Sequence, residues 1–136
     1  MNYMVEIKWT PLSEVKPENR YFAYAGYAER KSVWSYFTFL LRTRKIQSQL
    51  ETAKGIIGYT ARLEFFSKKV VQLAVFEGEA ALKQFAHTGQ HALCMGQTRS
   101  TMKWLKQTTW NIAGSDIPPK IAEAISRANN EGEVKK

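Results

Sequence analysis

One cysteine, Cys94, in 136 residues excludes an internal disulfide framework and any multi-cysteine metal site. It fits a reducing compartment, so a cytoplasmic setting is expected. Histidine is nearly as scarce: His87 and His91 are the only two, so no third imidazole can complete a histidine zinc site, and no metal is expected. No apolar run is long enough to span a bilayer. The most apolar, VWSYFTFLL, is roughly half the length needed. The opening MNYMVEIKWTPLSEVKPENR has no continuous apolar segment, so no signal peptide is expected. No Walker loop, G-x-G-x-x-G or Ser-His-Asp order occurs, which argues against covalent hydrolysis. Low-complexity runs and internal repeats are absent as well.

The composition is that of a chain with a core: 44% hydrophobic and 12% aromatic, at the length of one ordinary domain. The net charge is +8. The basic residues are scattered, the densest groups being Arg42–Lys45, Lys68-Lys69, and Arg99 with Lys103 and Lys106. No RNA-recognition aromatic motif, zinc-finger spacing or clear helix-turn-helix accompanies them. The charge therefore reads as solubility and weak attraction for anions, and no nucleic-acid partner is expected.

Pro11 and Pro17 predict an irregular lead-in over 1–19. Residues 20–130 form the single domain, and 131–136 a frayed polar tail. RYFAYAGYA, 20–28, is the first strand. Ser32 is placed as N-cap of a helix from Val33 to about Ala53, closed by Gly55. IIGYTARLEFF and VVQLAVFE form a hairpin over 56–77, with Ile57, Tyr59, Ala61, Leu63 and Phe65 on one face and Thr60, Arg62 and Glu64 on the other. EAALKQFAH begins a second helix at Glu79, which Gly89 breaks or bends before a further helical piece, HALCMGQTRSTM. KWLKQTTWN, 103–111, is the fourth strand. Pro118-Pro119 opens a last amphipathic helix.

The order β-α-β-β-α-β plus a C-terminal helix is the ferredoxin-like α+β arrangement: an antiparallel sheet with helices on one face. Apolar groups on both sides of the strands, among them Tyr21, Tyr27, Leu73, Trp104 and Trp110, predict that the other face is covered by a second chain, sheet on sheet.

The stretch from Gly55 to Asn111 carries a family likeness. GIIGY opens a strand, VVQLAVFEGEAALKQFAHTGQHA couples the third strand to the second helix, and TTWNIAGSDIPP supplies the last strand and its exit turn. Phe76, Glu77 and then Glu79-Ala80-Ala81-Leu82 supply an aromatic, an acid and an Ala-rich helix after the strand. This resembles the dimeric α/β-barrel superfamily, in particular its uncharacterised members that look like antibiotic-biosynthesis monooxygenases. The resemblance implies a homodimer and one of three roles: cofactor-independent oxidation of aromatic molecules, haem binding or degradation, or no assigned activity. The haem-degrading members use an Asn on the first strand, a Trp on the second helix and a His near that helix's end. Here the first strand has no Asn, the Trp position falls near Phe85, and the His position near Cys94 or Met95, with His91 about a turn earlier. Cofactor independence is therefore expected, with haem binding left open.

His87 and His91 are spaced for one helical face, with no glutamate between them to act as a base. They either cap a broken helix or face a pocket. In the second case His91 is the catalytic candidate, because imidazole titrates near neutral pH. Trp34, Phe37, Phe76, Phe85 and Trp104, with His87, either line a site for a small hydrophobic or aromatic ligand or simply pack the core. Arg62 either holds a carboxylate or phenolate, or pairs with Glu64 or a facing residue. The segment 33–41 is apolar nearly all round, more than a two-layer domain buries. Its excess meets the C-terminal helix, a second subunit, a ligand or a membrane. Two functions follow: a monooxygenase-like protein with a ligand between helices and sheet, or a non-catalytic binding or interaction module associated with haem or lipid.

Overall fold

In MVEIKWTP, Val5 and Ile7 alternate with exposed or half-exposed polar neighbours, the period of a strand with one face inward. A computed structural model, describing residues 4–86, 102–131 and 133–135, places these residues as β1, Met4–Pro11. The irregular lead-in predicted for 1–19 is thus corrected over Met4–Pro11. Pro11 ends β1, and β1 is an edge strand, where a missing N–H costs no ladder bond. The remaining elements are β2 Arg20–Arg30, α1 Ser35–Thr52, β3 Ile56–Glu64, β4 Lys69–Phe76, α2 Glu79–Ala86, β5 Met102–Ala113, a 3-10 turn Gly114–Asp116, α3 Ile121–Glu131 and β6 Glu133–Lys135. β6 pairs with Leu105–Gln107 of β5, where the composition predicts a frayed tail. No helix among the described residues is long and apolar enough to cross a membrane.

The sheet runs β1-β3-β4-β2-β5-β6, every pairing antiparallel. Its middle, β3-β4-β2-β5 with α1 and α2, is the ferredoxin-like β-α-β-β-α-β unit. α1 begins at Ser35, later than the spacing predicts. Ser32 still accepts the Trp34 N–H at 3.1 Å, so it caps the turn before the helix rather than the helix itself. Gly55, at φ +80°, turns the chain back into β3 in the left-handed region that glycine tolerates.

Alternation along β4 separates two cores. Val70, Ala74 and Phe76 face α1 and α2, packing with Tyr36, Phe39 and Leu50 of α1 and Phe85 of α2. Val71, Leu73 and Val75 face the other way, with Tyr21, Ala23, Ala25, Tyr27, Trp110 and Ile112. α3 lies on that second face, where Ala124 and Ala128 are fully buried and Ile121 and Ile125 pack beside them. The apolar surface that predicts a sheet-on-sheet dimer is therefore covered, in good part, by the chain's own last helix. A register shift between Ile56 and Gly58 also corrects the predicted face of β3. Ile57 joins the α3 side, while Tyr59, Ala61 and Leu63 face α1, because a bulge reverses the alternation.

Candidate functional site

On the α1/α2 face, directly paired residues align into rows across the sheet. One row is apolar, Val5–Leu63–Val70–Ala28–Leu105. The next is Ile7–Ala61–Gln72–Gly26–Gln107. Directly paired residues share a face, so this second row sets two amides and two small residues beneath the helices. It falls between the two apolar clusters of that face, one around Tyr36 and Phe39, the other around Phe76 and Phe85.

The small residues leave room. A cavity of about 390 Å³ lies between α1 and the β1, β3 and β4 side of the sheet. Ala61 and Gln72 line it from the sheet, Val5 and Ile7 from β1, and Leu40, Thr43, Arg44 and Gln47 from α1. Thr43 turns its hydroxyl to the Phe39 carbonyl at 2.9 Å. The Gln72 amide has no hydrogen-bond partner among the described residues. A largely apolar cavity holding a few unspent polar groups is the usual form of a small-molecule site.

At the central end of the row, the Tyr24 hydroxyl lies over Gly26, 2.9 Å from where a β-carbon would stand. Gln107 Nε2 donates to that hydroxyl at 2.8 Å. Burial pushes the Tyr24 phenol above its ordinary value, and the Gln107 bond opposes the shift only in part. Tyr59, in the neighbouring row, donates to Glu51 Oε1 at 3.2 Å, and burial raises its pKa too.

The predicted ligand residues are dispersed. Phe76 and Phe85 do meet, with ring centroids 5.8 Å apart, as buried core between the sheet and α2. Trp104 lies on the opposite face of the sheet, edge-on to Tyr27 at 5.1 Å and beneath Lys106. It cannot share a pocket with Phe76, because it occupies the other parity of its strand. Trp34 and Phe37 point outward, 76% and 59% exposed. Arg62 pairs with the facing residue Glu6 at 3.4 Å. It also contributes to the cavity lining, and its buried Nε has no partner. His87, His91 and Cys94 lie outside the described residues.

Tyr24, Gln72 and Gln107 are absent from the sequence prediction. Gln72 had a visible signal, a lone polar residue inside the apolar run VVQLAVF. Tyr24 and Gln107 had none, since their meeting depends on strand register. The described residues contain no group of three or more His, Cys, Asp or Glu side chains placed to hold a metal ion.

No family model matches the chain, and no curated protein matches it in sequence. Solved structures do match in fold. A protein named as a monooxygenase from Fusobacterium nucleatum superposes with a TM-score of 0.61 at 12% identity, over 78% of this chain and 51% of its own. One so named from Lactobacillus acidophilus gives 0.60 at 10% identity, over 74% of this chain and 50% of its own. The chain thus spans about half the length of these two proteins. One named as an antibiotic biosynthesis monooxygenase, from Nitrosomonas europaea, gives 0.59 at 12% identity and is covered over 99% of its length, against 79% of this chain. The ferredoxin-like α+β fold described above is the fold of these antibiotic-biosynthesis-monooxygenase-like proteins.

Proposed function

We propose that the chain binds a small, largely apolar molecule, aromatic or otherwise flat, in the cavity between α1 and the sheet. The observation that carries this is the Gln72 amide, set in an apolar cavity with no protein partner. The Gln72 amide is half-buried and open to solvent, so water meets its bonds until a ligand takes that place. A ligand carbonyl or hydroxyl, with an apolar body against Val5, Ile7 and Leu40, would do so. Arg44 favours a ligand that is weakly acidic. Of the residues predicted from sequence, Arg62 alone stays in this site. Phe76, Phe85, Trp34, Phe37 and Trp104 leave it.

The test fills the cavity. Ala61→Phe places a phenyl group in it, against the Leu63 and Val70 wall. Wild-type protein is expected to take up a fluorescent apolar probe, or to carry a small molecule visible by native mass spectrometry. Ala61→Phe should do neither at an unchanged melting temperature. Equal uptake by the variant removes the cavity as the site.

The names of the structural neighbours support a further step. An electron-rich aromatic ligand would react directly with dioxygen, the cavity supplying orientation and exclusion of water. His91 is the proposed proton acceptor. Oxygen uptake unchanged in His91→Ala would remove that role. A binding module without turnover predicts the same ligand uptake and no oxygen consumption. The working unit in this reading is a homodimer, as the family resemblance implies. With α3 on the second sheet face, its contact runs over α3 rather than bare strands. Light scattering at the mass of one 15.6 kDa chain removes that element.

A further inference from the structure

Five large hydrophobic side chains among the described residues are exposed: Met4, Trp34, Phe37, Leu41 and Phe66. Four of the five sit together at one end of the molecule. Trp34, Phe37 and Leu41 stand at i, i+3 and i+7 along the outer side of α1, opposite the stripe of Tyr36, Phe39 and Leu50 that packs on the sheet. Phe66 belongs to the β3–β4 connection, and Phe65 joins it to the helix, with ring centroids 4.9 Å from Phe66 and 6.2 Å from Phe37. Single exposed hydrophobics are ordinary, but a contiguous aromatic patch marks an interaction surface.

The patch is held rigid from below. Arg30, fully buried, donates to the carbonyls of Ser32 and Val33 and to Ser35 Oγ before and at the start of α1, and to the carbonyls of Glu64 and Phe65 on the hairpin. The two segments that display the aromatics are thereby fixed to each other.

Its border is cationic. Lys31, Arg42, Arg44 and Lys45 precede the first acid of the helix, Glu51, and Lys68 stands beside Phe66 in the hairpin. None of these five cations has an ion-pair partner among the described residues. The nearby Glu64 carboxylate is engaged by the Ser67 hydroxyl. A second copy on this face would bring a second cationic border, with no ion-pair partner of its own among the described residues, to the same contact. A nucleic-acid strand needs flat stacking surfaces along a groove, whereas these rings stand on a convex helix side together with Leu41. Trp and Phe beside Lys and Arg, on a face of low net hydrophobicity, suit the headgroup region of an anionic bilayer.

We propose that the Trp34–Phe37–Leu41–Phe66 patch seats the protein on anionic lipid surfaces, the rings entering the headgroup layer and Lys31, Arg42, Lys45 and Lys68 meeting the phosphates. This docking does not rest on the ligand proposed for the cavity.

The full chain is tested by sedimentation with vesicles of phosphatidylcholine alone, or with about one third phosphatidylserine, at low and high salt. Binding is expected on the anionic vesicles only, with a blue shift of tryptophan emission, and is weakened by salt. The double variant Trp34→Ser, Phe37→Ser should lower partitioning at least about tenfold. Should it fold poorly, Lys31→Glu with Lys45→Glu, both exposed, makes the same prediction. Absence of binding to anionic vesicles at low salt overturns the proposal, as does binding that either double variant leaves intact. So does self-association, or oligonucleotide binding, that these substitutions abolish in place of lipid binding.

Discussion

Arg30 Nη2 donates to the carbonyl oxygen of Phe65 at 3.2 Å, from a guanidinium that no solvent reaches and no carboxylate accompanies. Its bonds are to backbone oxygens and one hydroxyl, with Nε left unpartnered and the Tyr36 ring 5.5 Å from Cζ. Burial lowers the guanidinium's pKa from its ordinary value, but arginine remains charged. Two effects of Arg30→Met oppose each other. Removing a desolvated charge is favourable, while the Glu64 and Phe65 carbonyls lose their donor; the Ser32 and Val33 carbonyls still accept the Ser35 and Tyr36 N–H groups. Orphaned buried acceptors cost about 1–3 kcal/mol each, so the second effect wins. Arg30→Met is expected to lose at least about 2 kcal/mol in urea unfolding. Arg30→Lys should recover only part, because an ammonium cannot span both segments as a planar fork does. A loss below about 1 kcal/mol for Arg30→Met would show that the carbonyls find water instead.

The two shifted phenols set an alkaline limit on stability. Burial raises the pKa of both Tyr24 and Tyr59, and Glu51 adds to the rise at Tyr59. In the unfolded chain these groups ionise near about pH 10. The folded chain keeps both protons to higher pH, so above about pH 10 the unfolded state binds fewer protons and stability falls as pH rises. Below the unfolded value the contribution is complete. The urea midpoint should therefore decline between about pH 9 and 11, more steeply in wild type than in the double variant Tyr24→Phe, Tyr59→Phe. Parallel declines in the two proteins would place the alkaline sensitivity elsewhere.

Gly114 is required for contact rather than for its dihedrals. Its N–H donates to the Asn19 carbonyl at 2.8 Å, tying the end of β5 to the loop before β2. A β-carbon there would collide with the Lys16 carbonyl oxygen and stand 2.8 Å from its carbon. Both are backbone atoms, which cannot rotate away as a side chain would. Gly114→Ala should cost about 1–3 kcal/mol through forced displacement of that loop. Gly78→Ala, where an added carbon meets nothing within 4 Å, is the control and should be near neutral. Equal thermal stability of the two variants would show that the Lys16 loop yields freely.

The parts of this fold that rest on local pattern were legible. The alternation of VVQLAVF, the uninterrupted helical stretch from Val33 and the turn at Gly55 place β4, α1 and their boundary to within a few residues. β1 runs against the irregular lead-in that Pro11 and Pro17 suggest, because Val5 and Ile7 alternate as a strand and Pro11 breaks nothing at the end of an edge strand. The aromatic site did not assemble, because aromaticity carries no record of facing. Trp104 and Phe76 lie on opposite sides of one sheet, and only register decides that. The same holds for Gln72 and Gln107, brought to either side of Gly26 by pairings 46 and 81 residues away in sequence. The excess apolar surface of 33–41, by contrast, was visible in advance. It follows from composition alone, and the structure leaves it facing solvent.

Gln72 separates a binding role from a structural one. Its amide makes no hydrogen bond within the described protein, so replacement by leucine removes no internal bond. Leucine has similar volume and adds apolar contact with Val5, Ile7 and Leu40 around the cavity. A residue kept for folding would lose stability on substitution. One kept for a ligand lowers stability while it is present, the trade-off usual at functional sites. Gln72→Leu is therefore expected to match wild type in urea unfolding or to exceed it by up to about 1 kcal/mol. It should bind a ligand with a carbonyl or hydroxyl at least about tenfold more weakly, the value of one lost hydrogen bond, while a purely apolar probe keeps its affinity. Asparagine at the same position retains the amide but not its reach, and should fall with leucine on the polar ligand. A Gln72→Leu protein that unfolds more readily, or binds both classes of ligand equally well, would return the amide to the scaffold.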